Sequence, residues 1–321
     1  MQLVVESKPG LNIIKLITMR RFAFSLLLLI AAVNLWAQPA SAEYAPAPSD
    51  KALLWEVTGN GLETPSYVYG TIHMIGRDDY FLTESTKTAF ESVKHVAFEI
   101  DMEDMTDMSK MMPLMMKAFM VGDTTLKDLL TEDEYAQVSD HFQQVGLPMM
   151  FVDRIKPMFL SVLGSGEDMM SFNPNAESSM VSYEMEFMDI AKERQMEIEG
   201  LETAEFQMSM FDSIPYSVQA QMLMDAINAE EGSSNDQFDD MVKLYKDQDI
   251  YAMQSLMEGE GGIAGYEDLL LVRRNRNWIP IMSVSMKERP TFFAVGAGHL
   301  GGDQGVIALL REAGYTVKPV Q

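Results

Sequence analysis

The stretch Tyr67–Gly76, YVYGTIHMIG, runs from alternating aromatic and β-branched residues into a glycine and, three positions on, a histidine. Far along the chain, Thr291–Gly302, TFFAVGAGHLGG, does the same. Such residues favour strands, and glycine frees the backbone to turn where a strand ends. Each stretch therefore reads as a strand that delivers a histidine, His73 or His299, just past its C-terminal end. In open α/β sheets that edge is where ligands bind. If the two strands are neighbours, histidines remote in sequence face one site.

Further strands are expected around these two. ALLWEVTG (Ala52–Gly59) precedes the first, and the intervening Asn60-Gly61 is a hairpin signal. TESTKTAFESVK (Thr83–Lys94) reads as a short helix and HVAFEID (His95–Asp101) as a buried strand. After the second histidine, GVIALLREAG reads as a helix ending at Gly314, and YTVKPV as a last strand. Strand–helix–strand units at both ends of the chain imply one shared sheet.

Between them, apolar residues recur at helical spacing. TEDEYAQVSDHFQQVG carries a capping box, Thr131 with Glu134, and a stop at Gly146. Met196–Glu202, MEIEGLE, is the one strand expected in this middle part. The fold class is α/β: a central mixed sheet built from N- and C-terminal segments, with a large, mostly helical middle region. A single domain is expected over 52–321, with 52–101 and 290–321 forming the sheet and 102–289 mostly helical.

The N-terminus reads differently. Arg20 and Arg21 precede the apolar run FAFSLLLLIAAVNLW, and Ala40–Ala42 offers small residues for cleavage. This is the pattern of a signal peptide over 1–42. The run falls short of the roughly 20 residues of a spanning helix, which favours cleavage over anchoring. MRRFAF from Met19 offers an alternative start. Residues 43–51 read as a loose leader. The protein is expected to be exported, periplasmic or secreted, with no stable membrane anchor after cleavage.

Composition narrows the partners. The 321-residue chain carries a net charge of −24. Residues 1–42 hold four basic residues and one acid, so their removal makes the remainder more acidic still. Such a surface disfavours nucleic acid and anionic lipid. With no cysteine, disulfides and thiolate chemistry are excluded, and any metal must be held by His, Asp, Glu or Asn. Methionines number 29, eight of them within Met102–Met120. Thioethers suit copper(I), but flexible apolar packing, lining an adaptable groove, is the simpler reading.

Two imidazoles with a carboxylate nearby suit a divalent transition metal that keeps positions open for water. Glu99, inside the apolar run VAFEI, needs a partner, either a metal or an arginine, unless it marks the solvent end of its strand. Glu202 repeats the situation. VRRNRNW (Val272–Trp278) is the one dense basic patch, and Arg274 in it suits a buried carboxylate or a substrate carbonyl. His95 and His141 read as structural or solvated.

These segments, in this order, resemble the TraB/GumN family, which includes the Tiki proteases. Leu53–Met74 resembles its opening hairpin and first GxxH, VAFEID the strand with Glu99, and Ser182–Thr203 the central helix and GLET element with Glu202. Glu184 stands there where an aspartate is usual. Arg274 and Asn275 match the family's Arg-Asn pair, and Phe292–Val320 the closing segment with the second GxxH. The likeness runs from about Leu53 to Val320.

The resemblance implies divalent-metal-dependent hydrolysis of a peptide or protein. His73, His299 and Glu99 would be the ligands of Mn, Co or Zn. Glu99 or Glu202 would be the general base, and Arg274 and Asn275 would orient substrate or stabilise an oxyanion. The alternative is a non-catalytic peptide- or partner-binding protein, and a third reading is a metal-handling protein with several weak sites.

Overall fold

The computed structural model describes residues 44–101, 108–144, 146–164, 179–231, 235–257 and 265–321. The expected signal peptide, and Met102 and Met105 of the methionine-rich stretch, lie outside the described residues.

Strand β1 (Leu54–Gly59) turns through Asn60 and Gly61, both at positive φ, into β2 (Ser66–Thr71). The two pair antiparallel across the connection 60–65, which Asn60-Gly61 opens. Beyond His73 the two-residue strand β3 (Ile75–Gly76) comes next, then the helix Glu84–Ser92, N-capped by Thr83, and β4 (His95–Ile100). The middle region adds β5 (Met180–Val181), the helix Tyr183–Glu193 and β6 (Glu197–Glu202). The chain closes with a long helix, Arg273–Glu288, then β7 (Thr291–Gly296), the helix Val306–Glu312 and β8 (Tyr315–Val320).

Six strands form one sheet in the order β6-β4-β7-β2-β1-β8. β7, the penultimate strand of the chain, is inserted between β4 and β2 and is parallel to both. β6 is parallel to β4, whereas β1 is antiparallel to β2 and β8. Four parallel strands, β6, β4, β7 and β2, thus end at the same edge. The mixed sheet from both ends of the chain is as the sequence implies. Its consequence is specific: Glu202, Glu99, His299 and His73 all come from the C-terminal ends of those four strands.

Buried strands read as continuous apolar runs because both faces are covered. In β7, Phe292, Phe293, Ala294 and Val295 are all fully buried. On one face Tyr69, Phe90, Phe187 and Phe292 pack ring against ring, with centroids 4.9–6.0 Å apart. Each such ring contributes about 1.5–3 kcal/mol through burial. His95 is buried at the start of β4, between Thr291 (Nδ1 to Oγ1, 2.9 Å) and Glu199, a structural role at the edge away from the site.

A second core lies wholly among helices and includes Leu126, Val138, Phe142, Leu160, Leu223 and Ile227. The helix Glu132–Gln144 begins with the expected capping box, Thr131 and Glu134 exchanging hydrogen bonds, and Gly146 lies just past its end at φ +81°. The helix Ala204–Phe211 links this lobe to the sheet edge. It is capped by Thr203, directly after β6, and its Glu205 pairs with Lys117 of the helix Met108–Lys117. On that last helix Met108, Met112, Met115 and Met116 are exposed.

Residues 44–51 have no regular secondary structure. Arg311 donates to the Tyr44 carbonyl at 3.1 Å, and Lys51 pairs with Asp249 at 2.7 Å. Among the described residues, no helix is long and apolar enough to cross a membrane.

Candidate functional site

The two GxxH turns lie side by side because β2 and β7 pair in parallel, with Thr71 opposite Gly296. Each glycine has a steric reason. A Cβ on Gly70 would stand 2.7 Å from Leu300 and 3.1 Å from Ala297, so the first turn must lack a side chain for the second turn to pack. A Cβ on Gly296 would stand 3.2 Å from Glu99 Oε1, crowding the carboxylate, to which the Gly296 N–H donates at 2.8 Å.

After Gly296 the chain winds through a 3₁₀ turn, Ala297–His299, that buries His299 against the helix Arg273–Glu288. Trp278 lies against the imidazole, with centroids 4.5 Å apart. Asn275 fixes the ring: its Nδ2 donates to the Gln304 carbonyl at 2.9 Å, so its Oδ1 accepts from His299 Nδ1 at 2.6 Å. That network assigns the proton to Nδ1 and leaves the lone pair on Nε2. Arg274 Nη1 donates to this Nε2 at 3.0 Å.

Arg274 is the hub of the site. Its Nη2 is paired with Glu99, its Nε donates to Glu202 Oε1 at 2.9 Å, and its Nη1 also reaches the Leu270 carbonyl at 3.2 Å. The guanidinium lies 4.9 Å from the Trp278 ring, whose Nε1 donates to Glu202 Oε2 at 3.0 Å. Both oxygens of Glu202 are thereby engaged, and its side chain is 5% exposed. Glu99 is more open, and Gln207, from the helix Ala204–Phe211, donates to its Oε2 at 3.2 Å.

These neighbours set the charge states. Burial pushes His299 down to about 4, against the pull of Glu99. Burial acts to raise Glu99, but His299, Arg274 and the Gly296 N–H outweigh it and hold the carboxyl at about 2. Because His299 is neutral at pH 7, the cation that keeps Glu99 ionised there is Arg274. Glu202 is shifted the other way: burial outweighs Arg274 and Trp278 and raises it.

The first turn has a different setting. β3 pairs with β5, which brings Ser182, the N-cap of the helix Tyr183–Glu193, and Glu184 beside it. Thr71 donates to Glu184 Oε1 at 2.6 Å, Ser182 to Oε2 at 3.0 Å, and His73 Nδ1 lies 3.4 Å from Oε2. The His73 side chain is 88% exposed, yet its hydrogen bond to Glu184 raises its pKa to about 9. Solvent screens so exposed a pair, which therefore acts on protonation more than on stability. The charges of Glu99 and Arg274 also reach His73, so the two turns share one electrostatic environment.

Of the residues singled out in the sequence, His299, Glu99, Glu202, Arg274 and Asn275 form one buried network, with His73 and Glu184 beside it. Glu99 has the arginine partner that was one of its two expected options. Asn275, expected to meet substrate or oxyanion, is buried and committed to His299 and Gln304, so it positions the imidazole. The sequence reading missed Gln207, Trp278, Thr71 and Ser182. The threonine of GLET, as a helix N-cap, is the one signal that could have led to Gln207, a turn further on. Among the described residues, no three His, Asp or Glu side chains converge as a preformed metal cage.

The TraB/PrgY/gumN family model matches residues 53–319. Metalloprotease TIKI2 of Danio rerio is 25% identical over 316 residues, covering 83% of this chain and 60% of the relative. Metalloprotease TIKI1 of Danio rerio is 23% identical over 321 residues, covering 85% and 64%, and TIKI1 of Homo sapiens is 23% identical over 332 residues, covering 87% and 64%. The chain thus spans less than two thirds of the length of these curated relatives. No solved structure matches.

Proposed function

The chain belongs to the TraB/PrgY/gumN family, and from that premise we propose that it is an exported, divalent-metal-dependent hydrolase acting on peptide or protein substrates. The likeness to the TIKI metalloproteases supports the reaction class. The observation that carries the metal reading is the placement of His299 Nε2 3.6 Å from Glu99 Oε1 at one sheet edge. At neutral pH both are in the deprotonated forms that metal binding requires, and Asn275 fixes the His299 tautomer as outer-shell partners of metal ligands do. The donor chemistry therefore fits Mn, Co or Zn.

His299 and Glu99 would hold the ion, with His73 as third ligand once it gives up its proton. When bound, such an ion acidifies water and polarises a carbonyl. The chain's own residues divide the remaining work. A carboxylate held at about 2 suits a ligand better than a base, which favours that role for Glu99. Glu202, with both oxygens engaged, anchors Arg274. Glu184 is the carboxylate left to handle a proton, in contact with His73. Arg274 is the cation available to developing negative charge. Residues 1–42 support export to the periplasm or the medium, and the acidic surface supports peptide over nucleic acid or anionic lipid as partner.

The test is cleavage of a mixed peptide library, read by mass spectrometry, with stripped and metal-restored protein and with Glu99→Gln. New termini should arise only with restored wild type. The exposed methionines of the helix Met108–Lys117 favour a second reading, peptide binding without turnover. Retained peptide with no cleavage under any metal would select it.

A further inference from the structure

The network at Glu99 and His299 contains an unusual coincidence. The Nε2 lone pair that Asn275 leaves free on His299 is the one that receives Arg274 Nη1, at 3.0 Å. The neighbouring Nη2 is paired with Glu99. One planar guanidinium therefore covers the donor atoms of both groups that a metal would use. It stays charged at any working pH, so a divalent ion at the same atoms would meet a cation at contact distance.

Arg274 also has a second set of partners that a metal leaves intact. Its Nε bonds to Glu202 Oε1 at 2.9 Å, and Trp278 both lies 4.9 Å from the guanidinium and fixes Glu202 Oε2. The backbone just before it is a π turn, Asp268–Val272, closed by the Arg273 N–H on the Asp268 carbonyl. Within that turn the Leu270 carbonyl accepts from Arg274 Nη1 at 3.2 Å. Such one-turn π insertions recur at functional sites.

We propose that Arg274 is a built-in competitor of the metal: the Glu99–His299 face holds either the guanidinium or a divalent ion, and Arg274 withdraws onto Glu202 and Trp278 when the ion enters. This rests on the metal-dependent reading above and deepens it. Arg274 becomes the residue that sets metal affinity, and Glu202, buried and engaged at both oxygens, becomes its holding point. The face is thus kept neutralised without metal, so that Glu99 is never left as an uncompensated charge.

The test is calorimetric titration of the chelator-stripped protein with Zn²⁺, Co²⁺ and Mn²⁺, using wild type, Arg274→Lys and Arg274→Gln, each checked for native circular dichroism. Lysine keeps the charge but cannot span Glu99 and His299 as a fork does. Competition therefore requires Arg274→Lys to bind metal at least tenfold tighter than wild type, and Arg274→Gln tighter again. Equal affinity in wild type and Arg274→Lys overturns the inference while leaving the metal reading standing. No binding in any form overturns both. A second readout needs no variant to fold: side-chain ¹⁵N spectra of wild type should show the Arg274 Nη signals shifted by metal as the contacts to His299 and Glu99 are lost, with Nε–H still held by Glu202. Metal binding with the Nη signals unchanged also overturns it.

Discussion

Gly70–His73 and Gly296–His299 have the same motif and end adjacent parallel strands, yet their histidines have opposite surroundings. His73 is 88% exposed and His299 5% exposed. The first turn runs on into β3 and meets Glu184, which draws a proton onto the imidazole. The second winds into a 3₁₀ turn beneath Trp278, where burial removes the proton and Asn275 fixes the tautomer. A short motif sets where a side chain emerges from the sheet. The residues after the motif, and those packed over it, set the chemistry that side chain can perform.

The largest effect should come from the residue that joins the two carboxylates beside the second turn. Arg274→Met leaves Glu99 and Glu202 without their cation and should cost about 3–5 kcal/mol, the usual penalty for breaking a buried pair from one side. Denaturant unfolding measures it, and a loss below about 1 kcal/mol would mean that the carboxylates are far better hydrated than this network implies.

The histidines themselves should differ next. His299→Ala removes a ring packed on Trp278 and leaves Asn275 Oδ1 without its donor, for a loss of about 2–3 kcal/mol. His73→Ala, at an exposed position, should stay within about 0.5 kcal/mol. Equal losses in the two variants would erase the contrast.

The glycines sharpen it further. Gly70→Ala drives a methyl into Leu300 and Ala297 and should cost about 1–3 kcal/mol by overpacking. Gly296→Ala meets the end of a side chain, Glu99 Oε1, and should cost less in stability while displacing that carboxylate. The reverse order would show that the second turn, not the first, carries the tighter packing.

The smallest effect is in protonation. Imidazole NMR titration should give His73 near 9 and His299 near 4. The stability contributions have opposite signs. His299 has its pKa lowered on folding, so its contribution is present above the unfolded value of about 6.5 and is lost as pH falls toward 4. His73 has its pKa raised, so its small contribution is present below about 6.5 and is lost as pH rises through 9. Two titrations near 6.5 would remove the electrostatic distinction between the turns.

Much of this fold is legible in local signals. Asn60-Gly61 marks the hairpin, Thr131 with Glu134 the capping box, and the apolar runs ending in GxxH the two central strands. Glu99 also announces itself, since a carboxylate in a buried strand requires a partner. The partner's identity does not, because Arg274 is brought to it only by the helix Arg273–Glu288 crossing the sheet edge. Thr71 carries no sign of its role for the same reason: it acts through a tertiary contact, to Glu184. The exposure of His73 is equally illegible, because it depends on β3 pairing with β5, strands of two residues each and too short to show periodicity.

The most direct measurement is the melting temperature of chelator-stripped protein with Mn²⁺, Co²⁺ and Zn²⁺ added singly, repeated on His73→Ala and His299→Ala. An ion that binds only the folded state at 100 times its Kd stabilises by about 2.7 kcal/mol, a clear shift. Stabilisation by at least one of these ions, lost in both variants, is the expected result and makes the two turns halves of one metal site. No shift in wild type, or one that survives both substitutions, would contradict it.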